Sequence, residues 1–282
     1  MTTFNGKVIA ITGAASGIGR ATAQELARLG ASLSISDVNE MGLEETRRFC
    51  AAQGADVLTR VLSVSDREAI EVWAAETVNH FGHVNVILNN AGVSLAATVA
   101  DLDYENFEWL MGINFWGVVY GTKAFLPYLR QSGDGHVVNV SSLFGLMAMP
   151  TASAYNASKF AVRGFTEALA QELAIEGACV RATSVHPGGI DTNIAGGGRV
   201  VANAAWHLSD ATRSAQDFKR LARTTPAEAA SEIISVLSHP KRRLLIGTDA
   251  KLFDLMQRTM PQLYQSVVVR VMKKQLMAGK TI

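Results

Sequence analysis

Lys7-Val8-Ile9-Ala10-Ile11-Thr12-Gly13-Ala14-Ala15-Ser16-Gly17-Ile18-Gly19-Arg20 joins an apolar run to a glycine-rich turn and then to an amphipathic stretch reaching about Leu29. The apolar run suits a strand buried on both faces, as in a parallel sheet. Glycine permits backbone dihedrals and close approach that other residues forbid. A helix that starts straight after such a turn offers free N–H groups and a positive dipole end to a pyrophosphate. The spacing is G-x-x-x-G-x-G, with Gly13, Gly17 and Gly19, rather than the common G-x-G-x-x-G of dinucleotide sites. Ser16 and Ile18 lie between these glycines and belong to the same candidate cradle.

The pattern repeats outward from this turn. A second strand at 31–36 is followed by Asp37. That acid lies about 20 residues beyond the turn, where a carboxylate can bond the adenosine ribose hydroxyls. It would repel a 2′-phosphate, and no Arg or Lys stands at Ser16 or Val38 to attract one, so NAD is expected over NADP. Asp37 could equally cap a helix starting near Glu40. Further strands are expected at 55–61, 84–88, 136–140, 179–185 and 243–246, with helices between them. Ser65-Asp66-Arg67-Glu68 reads as a capping box for the helix through Phe81. A long helix over 103–131 carries Asn114 in an apolar stretch and Pro127 near its end, where a bend is expected. A buried Asn needs partners, either at a backbone kink or through a water in a site. Strands alternating with helices, with turn residues after each strand, specify an α/β fold with a doubly wound parallel sheet, in a single domain.

Ligands bind such sheets at the C-terminal strand ends, and the chemistry-bearing residues fall there. Asn90-Ala91-Gly92 follows the fourth strand, Ser142 the fifth, and Pro187-Gly188 with Ile190 and Thr192 the sixth. Tyr155 and Lys159 share one face of a helix over 155–176, at i, i+4. A Lys ammonium near a Tyr favours the phenolate, so the Tyr155 pKa is expected to fall from about 10. Such a Tyr can give or take a proton, and Ser142 could polarise an oxygen beside it. A Tyr–Lys pair on a helix face also arises by chance, so its weight comes from the convergence of the other residues.

Composition narrows the class. The apolar fraction is 48% and the net charge +1, which suits a globular protein and not a nucleic-acid binder. No run approaches the roughly 20 residues of a membrane helix, and the first residues do not resemble a signal peptide, so a cytoplasmic location is expected. Cys50 and Cys179 lack metal-ligand spacing; both read as packing residues in a reducing compartment, and no metal site is expected. The charge is uneven: residues 241–282 hold nine Lys and Arg against two Asp, a balance of +7 that leaves −6 elsewhere. The segment 195–225, with Trp206 and Phe218, reads as a lid over the site, the alternative being that both aromatics pack on the sheet.

Together these motifs resemble the short-chain dehydrogenase/reductases, in the soluble subgroup of roughly 250 residues with a Rossmann-like fold. The matching residues are Thr12-Gly-x-x-x-Gly-Ile-Gly19, Asn89-Asn-Ala-Gly92, Asn114, Ser142, Tyr155-x-x-x-Lys159 and Pro187-Gly188 with Thr192, in the expected order. The resemblance implies a hydride transfer between NAD(H) and a secondary alcohol or ketone. Tyr155 would be the general acid/base, Lys159 its electrostatic partner and a ligand of the nicotinamide ribose, and Ser142 the holder of the substrate oxygen. Asn114 would position a water, and Ile190 and Thr192 would hold the carboxamide. It also implies a homodimer or homotetramer through the two long helices. A catalytically silent NAD-binding regulator, an NADP-dependent carbonyl reductase, and an epimerase or dehydratase are the alternatives.

Three features depart from the family pattern. Ser63-Val64 replaces the usual Asp-Val beneath the adenine, Asn85 replaces an Asp, and Thr248-Asp-Ala begins a helical extension instead of a Gly-rich end. The main domain is thus expected over 1–248 and the extension over 249–282. Pro261 should split that extension into two helices. Its Phe, Met and Val residues read as packing on the body or on a dimer partner, with contact to an anionic membrane and an apolar substrate as the sharper alternative.

Overall fold

A computed structural model of the chain describes residues 3–192, 194, 197–206, 208 and 224–277. The opening stretch folds as read. Strand β1 (Val8–Thr12) is buried at every residue and runs through the glycine turn into helix α1 (Gly17–Arg28). β2 (Ser32–Asp37), α2 (Glu40–Ala52), β3 (Val57–Val61), α3 (Arg67–Phe81) and β4 (Val86–Asn89) follow. After a two-residue strand β5 (Leu95–Ala96) come α4 (Tyr104–Met111), a π turn (Gly112–Trp116) and α5 (Gly117–Gln131). β6 (Gly135–Val140), α6 (Ser153–Ile175), β7 (Val180–Pro187), the short β8 (Arg199–Val200), α7 (Pro226–Ser238) and β9 (Arg243–Ile246) complete the body. The C-terminal extension is α8 (Thr248–Thr259) and α9 (Leu263–Met277), broken at Pro261 as expected.

Seven strands form one sheet in the order β3-β2-β1-β4-β6-β7-β9, with every pairing parallel. Period-two alternation sends side chains to opposite faces. Ile9, Ile11, Leu33, Ile35, Leu88 and Val138 pack with α1, α2 and α7 on one face. Val8, Ala10, Ile87, Val137, Val180 and Ala182 pack with α3, α5 and α6 on the other. Both faces are therefore covered, which is why the central strands β1 and β4 read as nearly continuous apolar runs, whereas β2 alternates leucine and isoleucine with serines. The chain reverses direction along the sheet between β1 and β4, and this is the topological switch point where the candidate residues gather.

Several local expectations change. The capping box at 65–68 does not form: Asp66 is the N-cap of α3 and accepts the Ala69 N–H, while the Ser65 hydroxyl pairs with Ser63. Asp37 does not cap α2; Asn39 does, through the Gly42 N–H. The long helix over 103–131 is interrupted by the π turn, which carries Asn114. Helical structure continues past Pro127 to Gln131. Only the edges of the segment 195–225 fall among the described residues. Arg199–Val200 pairs in parallel with Leu95–Ala96, and Trp206 is half-buried; Phe218 lies outside the described residues.

A polar ladder crosses the interior. Asn89 Nδ2 donates to Asn139 Oδ1 (2.8 Å) and to Thr122 Oγ1 (3.2 Å), and Asn139 Nδ2 donates to Thr166 Oγ1 (2.9 Å). It couples β4 and β6 to α5 and α6. Gly121 leaves room for Asn89, because a Cβ there would collide with the Asn89 amide oxygen. Truncation of Asn139 to Ala strands two buried donors and opens a cavity, so Asn139→Ala should lose roughly 2–4 kcal/mol of stability in a denaturant melt. A loss below about 1 kcal/mol would mean that the ladder is not structural.

Candidate active site

The C-terminal ends of β1, β2, β4, β6 and β7 meet in one region, and the backbone there is closely fitted. Gly13 has φ +67°, and a Cβ on it would lie 2.8 Å from the Ala91 Cα. A Cβ on Gly19 would collide with the Gly13 carbonyl. Substitution at either position would thus push apart the glycine turn and the turn after β4. The two turns are also bonded. Asn90 Nδ2 donates to the Thr12 carbonyl (3.0 Å) and the Gly13 carbonyl (3.1 Å), and Thr12 Oγ1 accepts the N–H groups of Asn90 and Ala91, both at 3.0 Å.

Asp37 ends β2 beside this cradle. One of its oxygens accepts the Ala15 N–H at 2.9 Å and the other accepts the Asn39 N–H at 2.9 Å. The carboxylate therefore holds the glycine turn in place and still has lone pairs for further donors. Ser16, at the N-cap of α1, is exposed and makes no side-chain cap, which leaves the first N–H groups of α1 without that partner. Arg20 is tied to Glu45 (3.0 Å) and to the Gly42 carbonyl (3.1 Å). Val64 is buried and would touch any Cβ at Gly117, whereas the Ser63 hydroxyl is engaged by Ser65 at 2.8 Å. These features fit a dinucleotide: a turn approachable only through glycine, an open helix N-terminus, and an acid at the next strand end.

Ser142, Tyr155 and Lys159 come together at the mouth of β6. Tyr155 is half-buried, and its hydroxyl hydrogen-bonds Ser142. Lys159 is 2% exposed; its Nζ donates to the Val140 carbonyl at 3.0 Å and lies 5.6 Å from the Tyr155 ring centre. Burial pushes the Tyr155 hydroxyl up to about 12, with the Ser142 hydrogen bond opposing it. Burial likewise pulls Lys159 down to about 8. The expected lowering of Tyr155 by Lys159 is not found: desolvation disfavours the charged form of each group.

Other groups hold this trio. Asn114 is fully buried in the π turn; its Oδ1 accepts the Val93 N–H (2.8 Å), and its Nδ2 donates to the Val93 carbonyl (2.9 Å) and to Ser158 Oγ (3.3 Å). One amide therefore satisfies both backbone groups of Val93 and ties the π turn to α6. Ser141 Oγ donates to the Lys159 carbonyl at 2.8 Å, which ties β6 to α6. His186, on β7, supports the same strand end. Its Nδ1–H donates to the Ser142 carbonyl at 3.0 Å, and its Nε2 accepts from Ser184 Oγ at 3.0 Å. The tautomer follows from the carbonyl, which can only accept. No sequence signal marks this role beyond a polar residue at a buried strand end.

The loop after β7 closes over the cradle. Pro187 ends the strand, the Gly188 N–H donates to the Ile246 carbonyl at 2.9 Å, and Ile190 is buried. A Cβ on Gly17, where φ is +53°, would lie 3.1 Å from Thr192 Cγ2. Thr192 therefore rests against the glycine turn. The extension covers the next loop along. Leu143, Met147 and Tyr264 form a buried cluster with Phe144, Met149, Phe253, Met256 and Val268 packed on it, and the Ala148 N–H donates to the Tyr264 hydroxyl at 3.3 Å. The inner face of α8 and α9 thus packs on the body, while Leu263, Val267 and Val271 stay exposed. Among the described residues no helix is long and apolar enough to cross a membrane.

A profile of the short chain dehydrogenase family matches residues 7–199. The chain is 46% identical over 269 residues to the "Putative oxidoreductase SadH" of Mycobacterium tuberculosis, covering 95% of this chain and 96% of that protein. Its fold is similar to a Burkholderia phymatum short chain dehydrogenase/reductase in complex with NAD, with a TM-score of 0.84, 29% identity, and 94% and 97% of the two chains covered. It is also similar to an alcohol dehydrogenase from Thermococcus sibiricus complexed with 5-hydroxy-NADP, with a TM-score of 0.69, 28% identity, and 85% and 95% covered.

The two histidines buried among the described residues set an acid limit. Burial holds His186 and His136 near 4, below the ordinary value of 6.5. The unfolded chain therefore binds more protons between pH 6.5 and 4, and stability falls as pH drops through that window. Urea melts from pH 7 to 4 should show a loss on the order of a few kcal/mol. The slope should be shallower in a His136→Gln, His186→Gln double variant; an unchanged slope would assign the acid sensitivity elsewhere.

Proposed function

The chain belongs to the short-chain dehydrogenase/reductase family, and from that premise we propose that it is an NAD-dependent oxidoreductase acting on a secondary alcohol/ketone pair. The observation that carries this reading is the meeting of Ser142, Tyr155 and Lys159 at the strand end next to the glycine cradle. The nicotinamide, when bound, supplies or accepts the hydride. Gly13, Ser16, Gly17, Ile18 and Gly19 take the pyrophosphate side, and Asp37 takes the adenosine ribose. Val64, with Ser63, borders the adenine, and Asn90, Ala91 and Gly92 back the cofactor. Pro187, Gly188, Ile190 and Thr192 hold its nicotinamide end.

Tyr155 carries the proton. In ketone reduction its hydroxyl donates to the developing alkoxide, and in alcohol oxidation the same oxygen takes the proton away. Ser142 donates to the substrate oxygen and keeps it within reach of Tyr155. Burial that pushes Tyr155 up to about 12 keeps it protonated at neutral pH, the form that ketone reduction starts from. The Lys159 ammonium, 5.6 Å from the ring, stabilises the phenolate as it forms and bonds the nicotinamide ribose. Asn114 keeps the π turn open beside Lys159 and positions a water on the path from Lys159 to solvent. NAD is preferred to NADP because Asp37 would face a 2′-phosphate and Arg20 is already held by Glu45. Substrate choice falls to the partly buried Phe144, edge-on to Tyr155, and Met149, with the extension packed beside them, which suits an apolar molecule. A homodimer or homotetramer is part of the same reading.

A panel of secondary alcohols and ketones followed at the NADH absorbance tests the proposal. Tyr155→Phe should lose at least about a hundredfold in kcat while binding NADH as the parent does; retained turnover would remove Tyr155 from the chemistry. NADH should give the higher kcat/KM, and a preference for NADPH would overturn the role of Asp37. Initial rates of alcohol oxidation should climb above pH 7, as the base form of Tyr155 becomes accessible, and flatten above about 8, where Lys159 loses the ammonium that stabilises the phenolate. Ketone reduction, which uses the acid form, should not climb.

A further inference from the structure

We infer that Asp249 is a positioning residue for the cofactor: from the first turn of α8 its carboxylate fixes the loop after β7 and thereby sets where the nicotinamide end can sit. The inference rests on the assignment of residues 187–192 to that end of the cofactor. The geometry is that of a built clasp. One carboxylate oxygen accepts the Gly189 N–H at 2.7 Å, and the other accepts the Ala250 N–H of its own helix at 2.9 Å. Two glycines make room for it. A Cβ at Gly188 would collide with both carboxylate oxygens, and a Cβ at Gly247, where φ is +93°, would come within 2.5 Å of one.

The rest of the loop is held from outside the cofactor cradle. The Gly189 carbonyl accepts the Thr224 N–H (3.3 Å), and the Thr224 carbonyl accepts the Asp191 N–H (2.9 Å). At its far end Thr192 rests on Gly17 of the glycine turn. A shift at Gly189 is therefore transmitted along three residues to a side chain that touches the cradle. Asp249 stands where the sequence departs from the Gly-rich end of its family, so the C-terminal extension contributes a residue to the cofactor site as well as a cover over the 143–149 loop.

Binding of NADH, followed by its fluorescence, and of ADP-ribose, followed by calorimetry, to the full chain separates positioning from general support. ADP-ribose keeps the pyrophosphate and the adenosine but lacks the nicotinamide. Asp249→Ala should weaken NADH roughly tenfold, the scale of one charge-assisted hydrogen bond, and leave ADP-ribose unchanged. Gly188→Ala, which drives a methyl into the carboxylate, should do the same. Asp249→Asn keeps an acceptor for the Gly189 N–H and should stay close to the parent. If Asp249→Ala does not fold, the Gly188→Ala and Asp249→Asn pair carries the comparison. Equal weakening of NADH and ADP-ribose, or no weakening of either, would overturn the inference. A parent chain that binds ADP-ribose but gains nothing from the nicotinamide would overturn the assignment of residues 187–192, a failure seen before any variant is made.

Discussion

The amine of Lys159 is the constraint around which this end of the molecule is organised. It sits 2% exposed against the Val140 carbonyl, in surroundings that disfavour its charge enough to bring it down to about 8. A buried ammonium is tolerated only where acceptors and dipoles replace water. Gly92 keeps the space beside it open: a Cβ there would lie 3.4 Å from the Lys159 Nζ and 3.2 Å from the Asn114 amide oxygen and would crowd the pair. The Lys159 carbonyl is itself pinned by Ser141. Strand β6, helix α6 and the turn after β4 are locked to one another because each supplies one wall around this group.

Much of this was legible in the residues. A strand–glycine–helix unit followed by an acid, and alternating elements punctuated after each strand, are enough to predict a doubly wound parallel sheet, and the seven parallel strands follow that order. Tyr155 and Lys159 could be paired from their spacing, and Ser142 from its place at a strand end, because both depend on local geometry. Pro261 splits the extension as a helix breaker should.

What escaped the sequence depends on contacts between distant segments. Ser65 and Asp66 both look like caps, and Asp66 takes the role because Ser63 captures the Ser65 hydroxyl. Asp37 has the credentials of a helix cap, but the N–H of Ala15, 22 residues earlier, claims one of its oxygens. Spacing shows the charge beside Tyr155 but not the burial that governs its ionisation. His186 and Asp249 gave no sign of their roles. One supports the Ser142 carbonyl from 44 residues away and the other reaches Gly189 across 60, distances over which periodicity and spacing carry no information.

The Asn114 side chain has a further meaning for how the sheet ends. Its amide gives one hydrogen bond to the Val93 carbonyl and receives one from the Val93 N–H, the same reciprocal pair that two residues exchange across neighbouring strands. A single side chain on a helix thus counterfeits a strand for the segment beyond β4. Val93 is thereby satisfied between its place after β4 and the pairing of Leu95–Ala96 with β8, so one helix side chain carries the backbone from the main sheet to the small one.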